Sequence, residues 1–140
     1  MMNIMNLPEI QDAVEKDIII DLSQLDSEST RTPELHHKYL RIYTEIQIQY
    51  KSSESKYNSC RREKWEHYSG KGERPYPGKL LKTEIPNVLE GDEELIRCKD
   101  KMEYFKTILQ YLEEVLKIIN NRSFQINNAV KWQKFSQGEN

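Results

Sequence analysis

No apolar run in this chain approaches the roughly 18 consecutive residues that a membrane span needs, so the sequence predicts a soluble, intracellular protein with no membrane partner. Cysteine is scarce as well. Cys60 and Cys98 are too few for a disulfide framework where no secretory signal is evident, and both fall on predicted apolar helix faces, as small buried thiols do. The vocabulary of catalysis is missing: there is no glycine-rich phosphate loop ending in Lys-Ser/Thr, no zinc-ligand spacing and no nucleophile motif. Gly70-Lys71-Gly72 is too short to cradle a phosphate, and the adjacent His36 and His37 point about 100° apart on a helix. The sequence therefore predicts no enzyme, no cofactor and no metal site. Glycine and proline number five each and only 36% of residues are hydrophobic, so little of the chain can form a deep core. Long helices that each bury one face, in a homo-oligomer, suit this composition.

What the chain does have is charge, unevenly placed. Residues 1–50 carry a net −5, residues 51–82 a net +5 and residues 83–140 a net −2. A basic middle attracts a polyanion, while acidic flanks limit indiscriminate sticking or meet a basic partner.

The strongest pattern is an apolar seam. Leu95, Cys98, Met102, Phe105, Leu109, Leu112, Leu116 and Ile119 follow at alternating steps of three and four, the heptad spacing that keeps a stripe facing other helices. Tyr104, Ile108, Tyr111, Val115 and Ile118 add a second stripe beside it, so the face is wide enough for more than one partner helix. The seam reads as an assembly element, within the chain and between chains, with Leu95, Met102, Phe105, Leu109, Leu112, Leu116 and Ile119 as the oligomerisation positions.

Taken in order, a short helix opens near Pro8, with Ile10, Ala13 and Val14 on one face. Ile18, Ile19 and Ile20 favour an extended stretch, either a strap over the helices or a binding segment for another protein. Residues 22–32, rich in Ser, Thr and Asp, read as a linker. Thr32-Pro33 reads as an N-cap and first-turn proline, and no Pro or Gly follows until Gly70, which predicts a helix over 33–69. Its seam turns from aliphatic to Ser, Tyr and Cys beyond Tyr50. Residues 70–91 hold four glycines and three prolines and read as a basic loop carrying Lys71, Arg74, Lys79 and Lys82. Asp92 caps the seam helix, with Glu93 and Glu94 at its positive end. After Asn120-Asn121 the pattern reads as a break or bend before a short closing helix with Phe124, Ile126, Val130, Trp132 and Phe135. The whole is an all-α single domain over 1–140. It comprises an N-terminal helix, strap and linker (1–32), a long helix with a basic end (33–69), a basic loop (70–91) and C-terminal oligomerisation helices (92–140), forming a long helical hairpin with short terminal elements.

The functional signal lies in Lys56 to Lys82. Arg61, Arg62 and Lys64 stand on the last turns of the long helix with Tyr57, Trp65 and Tyr68 beside them, and Lys71 and Arg74 follow. Cations interleaved with aromatics suit single-stranded nucleic acid, since cations neutralise phosphates while bases stack on rings regardless of sequence. The plainer reading makes Trp65 and Tyr68 core residues and the charge run a solvated face. A structural or chaperone-like helical assembly that binds protein is the corresponding alternative function.

Arg62-Glu63-Lys64 followed by His67-Tyr68-Ser69-Gly70-Lys71-Gly72 resembles the Lys-Ala-Arg-Leu-Asp-Tyr-Tyr-Ser-Gly-Arg-Gly core of the UvsY family, recombination mediator proteins of T4-like bacteriophages. Lys16-Asp17-Ile18-Ile19-Ile20-Asp21 is similar to that family's Lys-Asp-Val-Phe-Ile-Asp, and Arg122-Ser123-Phe124-Gln125-Ile126 to its Arg-Gly-Phe-Ala-Ile, so the resemblance covers nearly the whole chain. It implies a helical homo-oligomeric ring, hexamer or heptamer, closed through the C-terminal region and working in the cytoplasm of the infected bacterial host. Such proteins bind single-stranded DNA and help load a RecA-like phage recombinase onto DNA covered by the phage single-strand DNA-binding protein. The family's core cations fall on Arg62 and Lys64. This chain departs from the pattern at Arg61, Glu63 and Trp65, where the family has an apolar residue, Ala and Leu.

Overall fold

The structure, a computed structural model, describes residues 5–138. Asn6 opens the first helix, its side-chain oxygen accepting from the Glu9 N–H at 2.9 Å, and Pro8 occupies the first turn where a missing N–H costs nothing. This helix, α1 (Leu7–Asp17), buries Ile10 and Val14. The others are α2 (Leu25–Tyr68), α3 (Ile85–Glu90) and α4 (Glu93–Ser136). Among the described residues the regular structure is all α-helix, two long helices, α2 and α4, and two short ones.

Along α2, Tyr39, Ile46, Ser53 and Cys60 recur every seventh residue and all are buried. Along α4, Leu112, Val115, Ile119, Arg122 and Ile126 are buried at alternating steps of three and four. The described residues divide into two compact units, one built from residues 5–46 and 108–138, the other from Gln47–Thr107. In the first, Ile10 and Val14 of α1, Leu35, Tyr39 and Ile46 of α2, and the α4 stripe from Ile108 form the core. In the second, Cys60, Ile85, Leu89 and Leu95 do so, with Tyr57, Tyr68, Leu80 and Cys98 packed against them.

Three helix boundaries differ from the sequence expectation. α2 begins at Leu25, so residues 25–32 are helical and Pro33 lies inside the helix. An internal proline removes one backbone bond and costs about 3 kcal/mol, and a buried polar cluster in the same turns opposes that cost. The Glu28 carboxylate accepts from Arg31 Nε at 3.1 Å, from Arg122 Nη2 at 3.1 Å and from the Asp21 N–H at 3.3 Å. Arg122 also donates from Nε to Thr32 Oγ1 at 3.3 Å and from Nη1 to the Ile18 carbonyl at 3.2 Å. This cluster can form only if 25–32 coil as helix. Second, α4 runs unbroken through Asn120-Asn121, because the buried stripe continues in step through Arg122 to Ile126. Third, the 70–91 loop contains α3, which folds because Ile85 and Leu89, four apart, find a shared apolar core.

The segment after α1 is held by side-chain donors. Arg31 Nη2 reaches the carbonyls of Asp17 and Ile19, both at 3.1 Å, and Gln133 Nε2 reaches that of Leu22 at 2.8 Å. Asp17 in turn accepts from Lys38 Nζ at 2.6 Å and from the Tyr39 hydroxyl at 2.7 Å.

Glu28→Gln leaves the fully buried Arg122 guanidinium without its anion, and is expected to cost about 3–5 kcal/mol. Arg122→Met leaves Glu28 paired with Arg31 and is expected to cost less. Urea denaturation at neutral pH ranks the two, and equal losses contradict this account.

Candidate nucleic-acid interface

α2 ends in a backbone arrangement that fixes the basic loop to it. The Gly70 N–H donates to the His67 carbonyl at 3.1 Å and the Lys71 N–H to that of Glu66 at 2.9 Å, a Schellman closure with Gly70 at φ +83°. Gly72, at φ +102°, turns the chain again, and the Tyr76 N–H returns to the His67 carbonyl at 3.1 Å. Tyr76 packs edge-on against Tyr68, ring centroids 5.3 Å apart, and His67 packs edge-on against Tyr68 at 5.0 Å. The loop therefore follows the helix end in a set course rather than trailing from it.

Asp92 ties this end of α2 to the start of α4. Its Oδ1 accepts from the Leu95 N–H at 3.0 Å, capping α4, while Oδ2 accepts from the Tyr68 hydroxyl at 2.7 Å and lies 3.5 Å from Lys64 Nζ. Burial alone pushes the Asp92 carboxyl up, but the Leu95 amide, the Tyr68 hydroxyl and Lys64 together hold it below the ordinary aspartate value. Lys64 also meets Glu94 Oε2 at 2.9 Å. That contact, opposed by partial burial and assisted by Asp92, raises the lysine above its usual value.

The sequence-predicted residues thus separate. Lys64 does not stand on an exposed cationic face with Arg62: its side chain is only 24% exposed and is turned to two carboxylates of the α4 start. Tyr68 is half-buried and packs, its hydroxyl spent on Asp92. Arg61 and Arg62 are exposed, Arg62 with a loose 3.6 Å pairing to Glu66 and Arg61 with its guanidinium carbon 6.0 Å from the Trp65 ring centroid. The Trp65 ring is 36% exposed, neither core nor fully free, and a concavity of about 410 Å³ beside it is lined by Asn58, Arg61, Arg62, Trp65 and Glu66. Lys71 and Arg74 are exposed and border a separate concavity of about 680 Å³, which they share with four glutamates and Lys64. Cations and a half-exposed indole on one stretch of helix can hold phosphates and stack a base.

The seam residues separate too. Leu95, Leu109, Leu112 and Ile119 are buried within a single chain, because α2, α3 and α1 already cover that stripe, and Met102, Phe105 and Leu116 are half-buried. Exposed apolar surface lies instead at Phe124, Trp132 and Phe135, with the last two rings stacked at 5.8 Å. Sequence reasoning had no role for Arg122, although an arginine in step with Ile119 and Ile126 signals a buried charge needing a buried carboxylate. It also passed over Lys99 and Ile96, which line a cavity with Tyr57 and Arg61. The Cys60 thiol, buried and facing Cys98, is pushed up to about 11, first by burial and then by its neighbour. Among the described residues no cluster of His, Cys, Asp or Glu is placed to hold a metal ion, and no helix is long and apolar enough to cross a membrane.

Comparison with known proteins points one way. A family model described as recombination, repair and ssDNA binding protein UvsY matches residues 13–139. The recombination protein uvsY of Enterobacteria phage T4 is 23% identical over 137 residues, spanning 96% of this chain and 100% of the relative. Crystal structures of the bacteriophage T4 recombination mediator protein UvsY match the fold. One has a TM-score of 0.90 at 23% identity, covering 95% of this chain and 98% of that one, and another a TM-score of 0.88 at 22% identity, covering 94% and 99%.

Because Asp92 titrates lower in the folded chain, its contribution is complete above the ordinary aspartate value of 3.8 and is lost as pH falls through the folded value. Acid is therefore expected to loosen α3 and the first turn of α4. Amide hydrogen exchange across residues 85–98, followed downward from pH 5, measures this, and in Asp92→Asn that added loss of protection is expected to vanish.

Proposed function

The chain belongs to the UvsY family of recombination, repair and single-stranded-DNA-binding proteins, and from that premise we propose that it is a recombination mediator. It binds single-stranded DNA and promotes loading of a RecA-like phage recombinase onto DNA covered by the phage single-strand DNA-binding protein. The family match over residues 13–139 carries this reading. The exposed Arg61 and Arg62 beside a half-exposed Trp65, with Lys71 and Arg74 on the following loop, support a strand contact at this end of α2. Lys64 acts there by positioning: it fixes the α2 end to Asp92 and Glu94 so that Arg61, Arg62 and Trp65 keep their register.

A handful of cations per chain binds a strand weakly and releases it as salt rises. Several copies raise the effective affinity by orders of magnitude without any new contact. We therefore place the chain in a closed homo-oligomeric ring. With four of the seam residues spent inside the chain, the contacts between copies fall to Phe124, Trp132 and Phe135 and to the half-buried Met102, Phe105 and Leu116. Held along such a ring, the strand has a geometry that weakens the covering protein's grip and favours recombinase nucleation. ATP belongs to the recombinase.

Fluorescence anisotropy of a labelled single-stranded oligonucleotide at graded salt tests the site. Arg61→Ala and Arg62→Ala are each expected to weaken binding and to lower the log–log salt slope by about 0.7 per subunit engaged, the single-strand value. Lys64→Ala is expected to lower the thermal midpoint of the fold more than the salt slope. If the intact protein fails to bind at low salt, the protein-binding assembly becomes the better account. Trp132→Glu with Phe135→Glu is expected to reduce the mass by light scattering, and to abolish recombinase loading onto protein-covered DNA.

A further inference from the structure

Within the Gln47–Thr107 unit, α2, α3 and α4 line a half-open cavity of about 540 Å³, inside the roughly 300–1,000 Å³ range of small-ligand sites. Its floor is apolar: Leu89 and Leu95 are buried and the half-buried Tyr57 ring forms one wall. Ile96, 39% exposed, stands at its edge. Four charges line it, the cations Arg61 and Lys99 and the carboxylates Glu90 and Asp100. That balance is wrong for a phosphate, which would meet two anions. It fits a flat, neutral group that stacks on a phenol ring and presents amino hydrogens, because ionised carboxylates only accept.

Arg61 joins this cavity to the concavity beside Trp65, since it lines both. Tyr57, Arg61 and Trp65 succeed one another every four residues, so they share one face of α2, and a rise of about 1.5 Å per residue separates the two rings by about 12 Å along the helix. A flexible strand of a few nucleotides covers that distance. Its phosphates would then meet Arg61 and Lys99 outside the cavity, and one base would point in.

We propose that the cavity between α2, α3 and α4 holds one nucleobase of the bound single strand, one that carries an exocyclic amino group: cytosine, adenine or guanine. The base lies against Tyr57 with its exocyclic amino group donating to Glu90 or Asp100, and Lys99 and Arg61 take the flanking phosphates. The inference rests on the single-stranded-DNA reading above and adds to it a base-holding site away from Arg62 and Lys64.

Two strands of equal length separate the possibilities in an anisotropy titration: a labelled oligo(dC), and the same backbone carrying abasic sites in place of bases. Ile96→Trp fills the cavity from its exposed edge. It is expected to weaken oligo(dC) binding about tenfold, the scale of one lost base–aromatic stack, while leaving the abasic strand bound as by the intact protein. Oligo(dC) bound equally well by Ile96→Trp and the intact protein overturns the cavity site and leaves the mediator reading standing. An intact protein that binds neither strand overturns both. A second measurement needs no variant: irradiation of the intact protein with a strand carrying 5-iododeoxycytidine is expected to yield an adduct on Tyr57, whereas adducts confined to other residues overturn the assignment.

Discussion

The fully buried guanidinium of Arg122 is the constraint around which the first unit is arranged. A cation without water must find its counter-ion and its acceptors inside the protein, and the cost of failing is several kcal/mol. Arg122 finds them in Glu28 and Thr32 of α2 and in the Ile18 carbonyl of the segment that leaves α1. Glu28 is in turn held by Arg31, whose guanidinium reaches the Asp17 and Ile19 carbonyls. Arg31 first, and then Arg122 against the opposing effect of burial, keep Glu28 below the ordinary glutamate value. A shift of α4 by one residue against α2 would part Arg122 from Glu28 and Thr32 and leave its buried guanidinium without its counter-ion. Apolar packing tolerates slippage far better than a five-donor group in a dry site, so the ion pair sets the register that the leucines and isoleucines then fill.

Much of this fold is legible in the chain, and the places where it is not share one cause. The closure of α2 at Ser69-Gly70 and the Asp92 cap follow from local rules, and they hold because the signal and the structure lie within a few residues of each other. The start of α2 is different. Thr32-Pro33 is a good local N-terminus, yet the helix extends back to Leu25 because Glu28 is required by Arg122, 94 residues away. Asn120-Asn121 looks like a break only while Arg122 is counted as a surface charge. Once it belongs to the buried stripe, the pattern passes through without interruption.

The candidate site is legible as a basic, aromatic stretch and not as a set of side-chain environments. Composition marks 56–82 as basic and aromatic, but it cannot say which cations face water. Lys64 lies about 60° around α2 from Arg61 and about 160° from Arg62, and its side chain meets Asp92 and Glu94 while the arginines stay exposed. The carboxylates that claim it were read from sequence as helix-capping charges alone. Charge counting also missed the cavity, since Tyr57, Leu89 and Lys99 come from three helices and only packing brings them together.

On the proposed reading, the cations nearest the helix end do two jobs, one holding α2 to α4 and the others meeting phosphate, so the strand need not compete with the fold for the same charge. The chain as a whole carries a net charge of −2, which leaves the approach to DNA confined to a small positive area within an otherwise unfavourable field. On the same proposed reading, affinity per copy is low and depends on salt, and grip comes from several copies engaged together. Each contact would then open singly while the rest hold, and the proposed recombinase would take over the strand one short stretch at a time. A deeper, more basic groove would bind more tightly and surrender the strand less readily.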